Sequence, residues 1–105
     1  MSVALQIPAG EDSPARLVPI ATEAIYAAEW LPVADLFGTK WLQRFQVGAE
    51  FGTDEATEIM SELTSASEQF AAAGKPQLTA RADAVIEALR DAVANSHSNA
   101  AFFIG

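Results

Sequence analysis

Cysteine is absent from this 105-residue chain, which removes disulfide frameworks, thiolate nucleophiles and cysteine-ligated zinc together. Bases are scarce as well: six Lys and Arg stand against fourteen Asp and Glu, for a net charge of −8. Nucleic acid and anionic membrane both need clustered cations to displace their counterions, so neither is an expected partner. No segment approaches the ~18 consecutive apolar residues of a membrane span. Met1 to Pro8 has neither the basic start nor the apolar run of a secretory leader, and a cytoplasmic protein is the expectation. Internal repeats, low-complexity tracts and long linkers are also missing, which predicts one domain over 1–105.

Histidine occurs once, as His97 in Ser96-His97-Ser98-Asn99. A Ser-His-Asp triad built there lacks the Gly-x-Ser-x-Gly context of a nucleophile elbow, so a loop residue after a helix is the better reading. Gly48-Ala49-Glu50-Phe51-Gly52 has no Lys-Ser or Lys-Thr behind it, and its glutamate repels phosphate. The Glu-x-x-His of a helical carboxylate metal site and the EF-hand loop are both absent. These absences predict no catalytic residue, no metal site and no cofactor.

What is present is apolar and acidic. Half the residues are hydrophobic, enough for a core without covalent staples. Val3, Leu5 and Ile7 alternate with Ala4 and Gln6, which predicts a short strand ended by Pro8, with a polar turn following from Ala9 to Pro14. Between Pro19 and Pro32 the spacing predicts a helix over 20–31, followed by a short helical turn from Pro32 that stops at Gly38. The stretch 39–47 reads either way: Trp41, Leu42 and Phe45 suit a helix, slightly the better reading, and Trp41, Gln43, Phe45 and Val47 suit a strand. Gly48 and Gly52 then free the backbone to turn.

The clearest element starts at Thr53. Thr53 is a good N-cap, Asp54 and Glu55 complement the helix dipole, and Ala56, Ile59, Met60, Leu63, Ser67 and Phe70 form one stripe. Gly74 supplies a left-handed stop and Pro76 prevents continuation. A second helix over 78–95 places Leu78, Ala82, Val85, Ile86, Leu89 and Val93 on one face, and the short connection makes the two antiparallel. The predicted fold is α+β and helix-dominated. An αα-hairpin, about 53–74 and 78–95, packs on an aromatic-rich helical segment and on a small strand pair, 3–7 with 101–104; an all-α arrangement is the alternative.

Six of the nine aromatics lie between Tyr26 and Phe51, several at helical spacing, which suits the core on which the hairpin docks. The functional candidates are therefore surface residues. Glu55, Glu58 and Glu62 fall on one helix face with no base among them, a surface for a basic protein partner. Trp41, beside Lys40 and Arg44, forms a second candidate patch, with Arg44 its cation. The expected function is a non-enzymatic acidic module that binds a basic protein, as an inhibitor or antidote of the immunity type does. The alternatives are a self-associating homodimer, through the aromatic segment or Phe102-Phe103-Ile104, and a binder of a small molecule in an apolar pocket.

Overall fold

The computed structural model describes residues 2–9, 14–94 and 101–105. His97 and the expected turn around it lie outside the described residues, as do residues 10–13 of the expected first turn. The architecture is α+β, a helical layer on one face of a four-stranded antiparallel sheet. Strand β1 (Ser2–Ile7) is followed by β2 (Arg16–Thr22), and later come β3 (Ala49–Gly52) and β4 (Ala101–Ile104), in the spatial order β2-β1-β4-β3. The expected pairing of the two chain ends is there: Leu5 faces Ile104 and Gln6 faces Phe103. It forms the centre of a wider sheet than the sequence predicts.

Two strands were hidden from sequence reading by their punctuation. The segment read as the start of a helix at Ile20 is instead β2, which runs through Pro19 to Thr22. Proline cannot donate to a ladder, so β2 sits at the sheet edge, and the ladder bulges between Val3 and Ala4 so that Ile20 turns into the core. The Gly48–Gly52 segment, read as a turn, holds β3, with Ala49 and Phe51 inward and Glu50 outward.

The helix after β2 starts late and ignores its proline. Thr22 Oγ1 accepts the Ile25 amide at 3.2 Å and opens α1 (Glu23–Ile25), which passes through a π turn (Tyr26–Trp30) directly into α2 (Leu31–Phe37). Pro32 has no N–H for the Ala28 carbonyl and its ring crowds that oxygen. The π turn, closed by the Leu31 amide on the Tyr26 carbonyl, widens the backbone there and carries the helix past Pro32 instead of ending it. Four-residue neighbours nearly eclipse in so wide a turn, and the rings of Tyr26 and Trp30 stack 5.7 Å apart with 4° between planes. Trp30 then meets the edge of Phe70 at 4.9 Å, tying this helix to the hairpin.

Residues 39–47 form neither helix nor strand. They are linked turns, with the Arg44 amide on the Trp41 carbonyl at 2.9 Å and the Gly48 amide on the Arg44 carbonyl at 2.9 Å. Trp41, Leu42 and Phe45 all enter the core, so the apolar positions are those a helix would have buried. Trp41 contacts Phe51 at 6.1 Å, and Phe51 meets Phe102 at 5.6 Å, so a second aromatic chain joins the turns to the sheet.

The hairpin is formed by α3 (Thr53–Ala72) and α4 (Pro76–Ala94). The N-cap is Gly52, one residue before the expected Thr53, and the Glu55 carboxylate accepts the Gly52 amide at 2.8 Å. At the other end the Lys75 amide reaches the Phe70 carbonyl and the Gly74 amide reaches that of Ala71, a Schellman stop around a left-handed Gly74 (φ +73°). Ser67 Oγ and Asp83 Oδ1, 2.6 Å apart, link the two helices, and Ala56, Ile59, Leu63, Val85 and Leu89 fill the space below. Each buried Ile, Val or Leu there is worth roughly 1.5 to 3 kcal/mol of transfer free energy.

Tyr26 is the only tyrosine and is fully buried, its hydroxyl donating to the Leu42 carbonyl. Burial pushes its phenol well above the ordinary value near 10, and the nearby Glu62 charge adds to the rise. A folded pKa above the unfolded one means this contribution to stability is intact below pH ~10 and is lost as pH rises beyond it. Alkaline titration is expected to show phenolate absorbance appearing in the same step as loss of helical circular dichroism. Ionisation near the ordinary value with helix content retained would contradict the buried phenol.

Candidate functional site

The residues singled out from sequence divide into structural and free. Glu62 is half-buried, and its carboxylate accepts four hydrogen bonds: one from the Lys40 amide at 3.1 Å, two from Trp41 at 2.9 and 3.2 Å, and one from Leu42 at 3.0 Å. Three successive amides converging on one anion form a nest, and α3 holds the 39–47 turns in place through it. Glu55 is exposed but occupied with capping α3. Glu58 is exposed, with no partner among the described residues. The expectation of three free glutamates on one surface is thus corrected, because two of them satisfy backbone donors that helix starts and tight turns leave unpaired.

Trp41 is buried too, not a partly exposed anchor. The Lys40 ammonium stands 5.1 Å from its ring centroid and the Arg44 guanidinium 5.9 Å, so both cations cover the indole. Arg44 remains exposed. Acidic side chains that are exposed on α3 besides Glu55 and Glu58 are Asp54 and Glu68.

A different surface stands out once exposure is known. The helical stretch 23–37 has eight exposed positions, and only one, Asp35, is charged. Ile25 is 45% exposed, Leu36 64% and Phe37 47%, with Ala24, Ala28 and Pro32 among the rest. A surface helix normally turns charged residues to water, as α3 and α4 do. Here the buried side carries Tyr26, Trp30, Val33 and Ala34, and the outer side is apolar as well. The sequence held the signal: between Ala24 and Phe37 the charged residues are only Glu29 and Asp35, and a helix apolar all round asks for cover on both sides. Taking Pro32 as the end of the helix concealed it. Glu29 is engaged by Lys75 of the hairpin turn in an exposed ion pair, which fixes the helix against α3 and α4 at little energetic consequence.

Among the described residues no group of three or more His, Asp or Glu is placed to hold a metal ion, and no helix is long and apolar enough to cross a membrane. No protein-family model, curated protein or solved structure matches this chain.

The two glutamates make a direct comparison. Glu62→Gln removes the charge and turns an amide NH2 toward backbone donors, and is expected to destabilise the fold by about 2 to 3 kcal/mol. Glu58→Gln is expected to change stability by less than about 0.5 kcal/mol. Urea unfolding of both variants checks this, and equal midpoints would contradict the nest.

Proposed function

We propose that the protein is a non-enzymatic binding module that docks on a basic protein through the apolar face of residues 23–37. The observation that carries this reading is the solvent side of that helix, where Ile25, Leu36 and Phe37 stand exposed with a single charge between them. Contiguous exposed apolar surface on a small domain marks an interaction site more often than chance packing.

The charge around it selects the partner. Asp35 lies within the face and Glu23 at its start, while Asp54, Glu58 and Glu68 of α3 and the net charge of −8 set the long-range field. A surface with an apolar centre and a basic rim is the complement, attracted from a distance and then desolvated at the centre. A second copy of this chain would instead bring Asp35 and Glu23 against like charges. The specific form that this suits is a cover over a basic protein, as an antidote provides. The glutamates of α3 then serve attraction, and the apolar helix supplies the binding energy.

Ile25→Gln with Leu36→Gln keeps the charge and the helix propensity while removing apolar contact. Capture from native lysate is expected to retrieve a basic protein with the unaltered chain, increasingly lost as salt rises, and to be weakened about tenfold or more by the double substitution. Capture unchanged by that substitution would overturn the assignment to this face.

A further inference from the structure

The π turn leaves one backbone oxygen without a donor, and it does so on the exposed apolar face. Within the helix the Ala27 carbonyl can accept from the amide four residues on or, in a π turn, five residues on. The first of these, Leu31, bonds the Tyr26 carbonyl, and the second belongs to Pro32, which has no N–H. No amide or side chain from elsewhere among the described residues reaches that oxygen. Ala27 is exposed, as are Ala28 and Pro32 beside it, so the carbonyl opens to solvent and not to the core. A backbone acceptor that its own helix cannot satisfy is a polar anchor set in an otherwise apolar surface.

Asp35 supplies a second acceptor on the same side. Its side chain is exposed and has no hydrogen bond or ion pair among the described residues. Ala27, Leu31 and Asp35 recur at steps of four, and Leu31 between them packs on the core. A helical carbonyl points toward the C-terminus while Cβ tilts toward the N-terminus, so the two acceptors face one another along the axis. Eight positions at about 1.5 Å each make roughly 12 Å, of which the carbonyl and the Asp35 side chain span a little under half, leaving about 7 Å between the oxygens. A single ammonium nitrogen with a hydrogen bond of about 2.9 Å on each side spans less than about 6 Å. A guanidinium adds the separation of its own nitrogens and carries donors on opposite sides, so it bridges the gap.

We propose that the 23–37 face seats an arginine of the protein it binds, its guanidinium donating to the Ala27 carbonyl on one side and to the Asp35 carboxylate on the other. The inference rests on the reading of that face as the docking surface, and it names the chemistry of the partner: an arginine held within an apolar segment. The arginine stem lies over Ala28 and Pro32, and the segment around it covers Ile25 and Leu36. Water is excluded as those side chains are covered, which strengthens both bonds to the guanidinium. Asp35 is the one charged residue among the exposed positions of this helix, so the match is one cation to one anion.

The blocked tripeptides Leu-Arg-Leu, Leu-Lys-Leu and Leu-norleucine-Leu, titrated into the isotope-labelled chain and followed by NMR, test the seat. The arginine peptide is expected to shift the Ala27 carbonyl and Asp35 carboxyl carbons in one saturable step, and to bind about fivefold or more tighter than the lysine peptide. Pro32→Ala supplies the missing N–H while keeping the face apolar and the net charge unchanged, and is expected to abolish the preference for arginine. Asp35→Asn, which leaves the backbone as it is, is expected to abolish it too, with circular dichroism confirming that both variants are folded. Equal binding of the three peptides, or a preference for arginine that survives both substitutions, would overturn the proposal. So would shifts at Glu58 and Glu68 in place of Ala27 and Asp35, the mark of general attraction to acidic surface. The methyl groups of Ile25 and Leu36 report on the face separately. If all three peptides shift them alike, the face remains a docking surface and only the arginine seat fails; no shift there with any peptide counts against both.

Discussion

Four hydrogen bonds run from the amides of Lys40, Trp41 and Leu42 to the carboxylate of Glu62, and the segment between helix 23–37 and β3 takes its place from them. Without regular secondary structure, residues 39–47 have no ladder of their own to satisfy their backbone, and burying unpaired amides is costly. One side chain in the middle of α3 answers three of these donors. The turns so held deliver Trp41, Leu42 and Phe45 to the core and offer the Leu42 carbonyl to the Tyr26 hydroxyl. Glu62 thereby connects α3, the turns and the π turn, and its charge helps keep Tyr26 neutral.

Two aromatic chains spread from this point. Tyr26, Trp30 and Phe70 run from the π turn to the hairpin, and Trp41, Phe51 and Phe102 run from the turns to the sheet. Edge-to-face and offset contacts of this kind add roughly 0.5 to 1.5 kcal/mol per pair beyond burial. The indole N–H groups of Trp30 and Trp41 are buried without an acceptor among the described residues, so packing outweighs hydrogen bonding at both. The π turn belongs to the same arrangement, because it lets the helix continue beyond Pro32 and extends an apolar helix face past the core that needs it.

The protein is acidic in total but uneven in detail. Several of its carboxylates serve the fold: Glu62 in the nest, Glu55 at a helix start, Asp83 against Ser67, Glu29 against Lys75. What is left for the surface is an acidic hairpin flank, an apolar helix face and a sheet face that exposes Leu17 and Phe103. The last two are where uncovered apolar area lies, and that area is what a partner would desolvate.

The sequence by itself determined the hairpin. The stripe from Ala56 to Phe70, the left-handed Gly74 and the stripe from Ala82 to Leu89 act within a few residues of one another, and local spacing is enough to place them. It also determined the pairing of the chain ends, since Val3, Leu5 and Ile7 have one face to bury. It did not determine β2, β3 or the length of the helix between them, because Pro19, Pro32 and the glycines at 48 and 52 carry local meanings that a sheet edge, a π turn and a neighbouring strand overrode. Nor did it distinguish Glu58 from Glu62. The two share a helix and a charge, and only the arrival of the Lys40 to Leu42 backbone, some twenty residues away in sequence, makes one a surface group and the other the anchor of a turn.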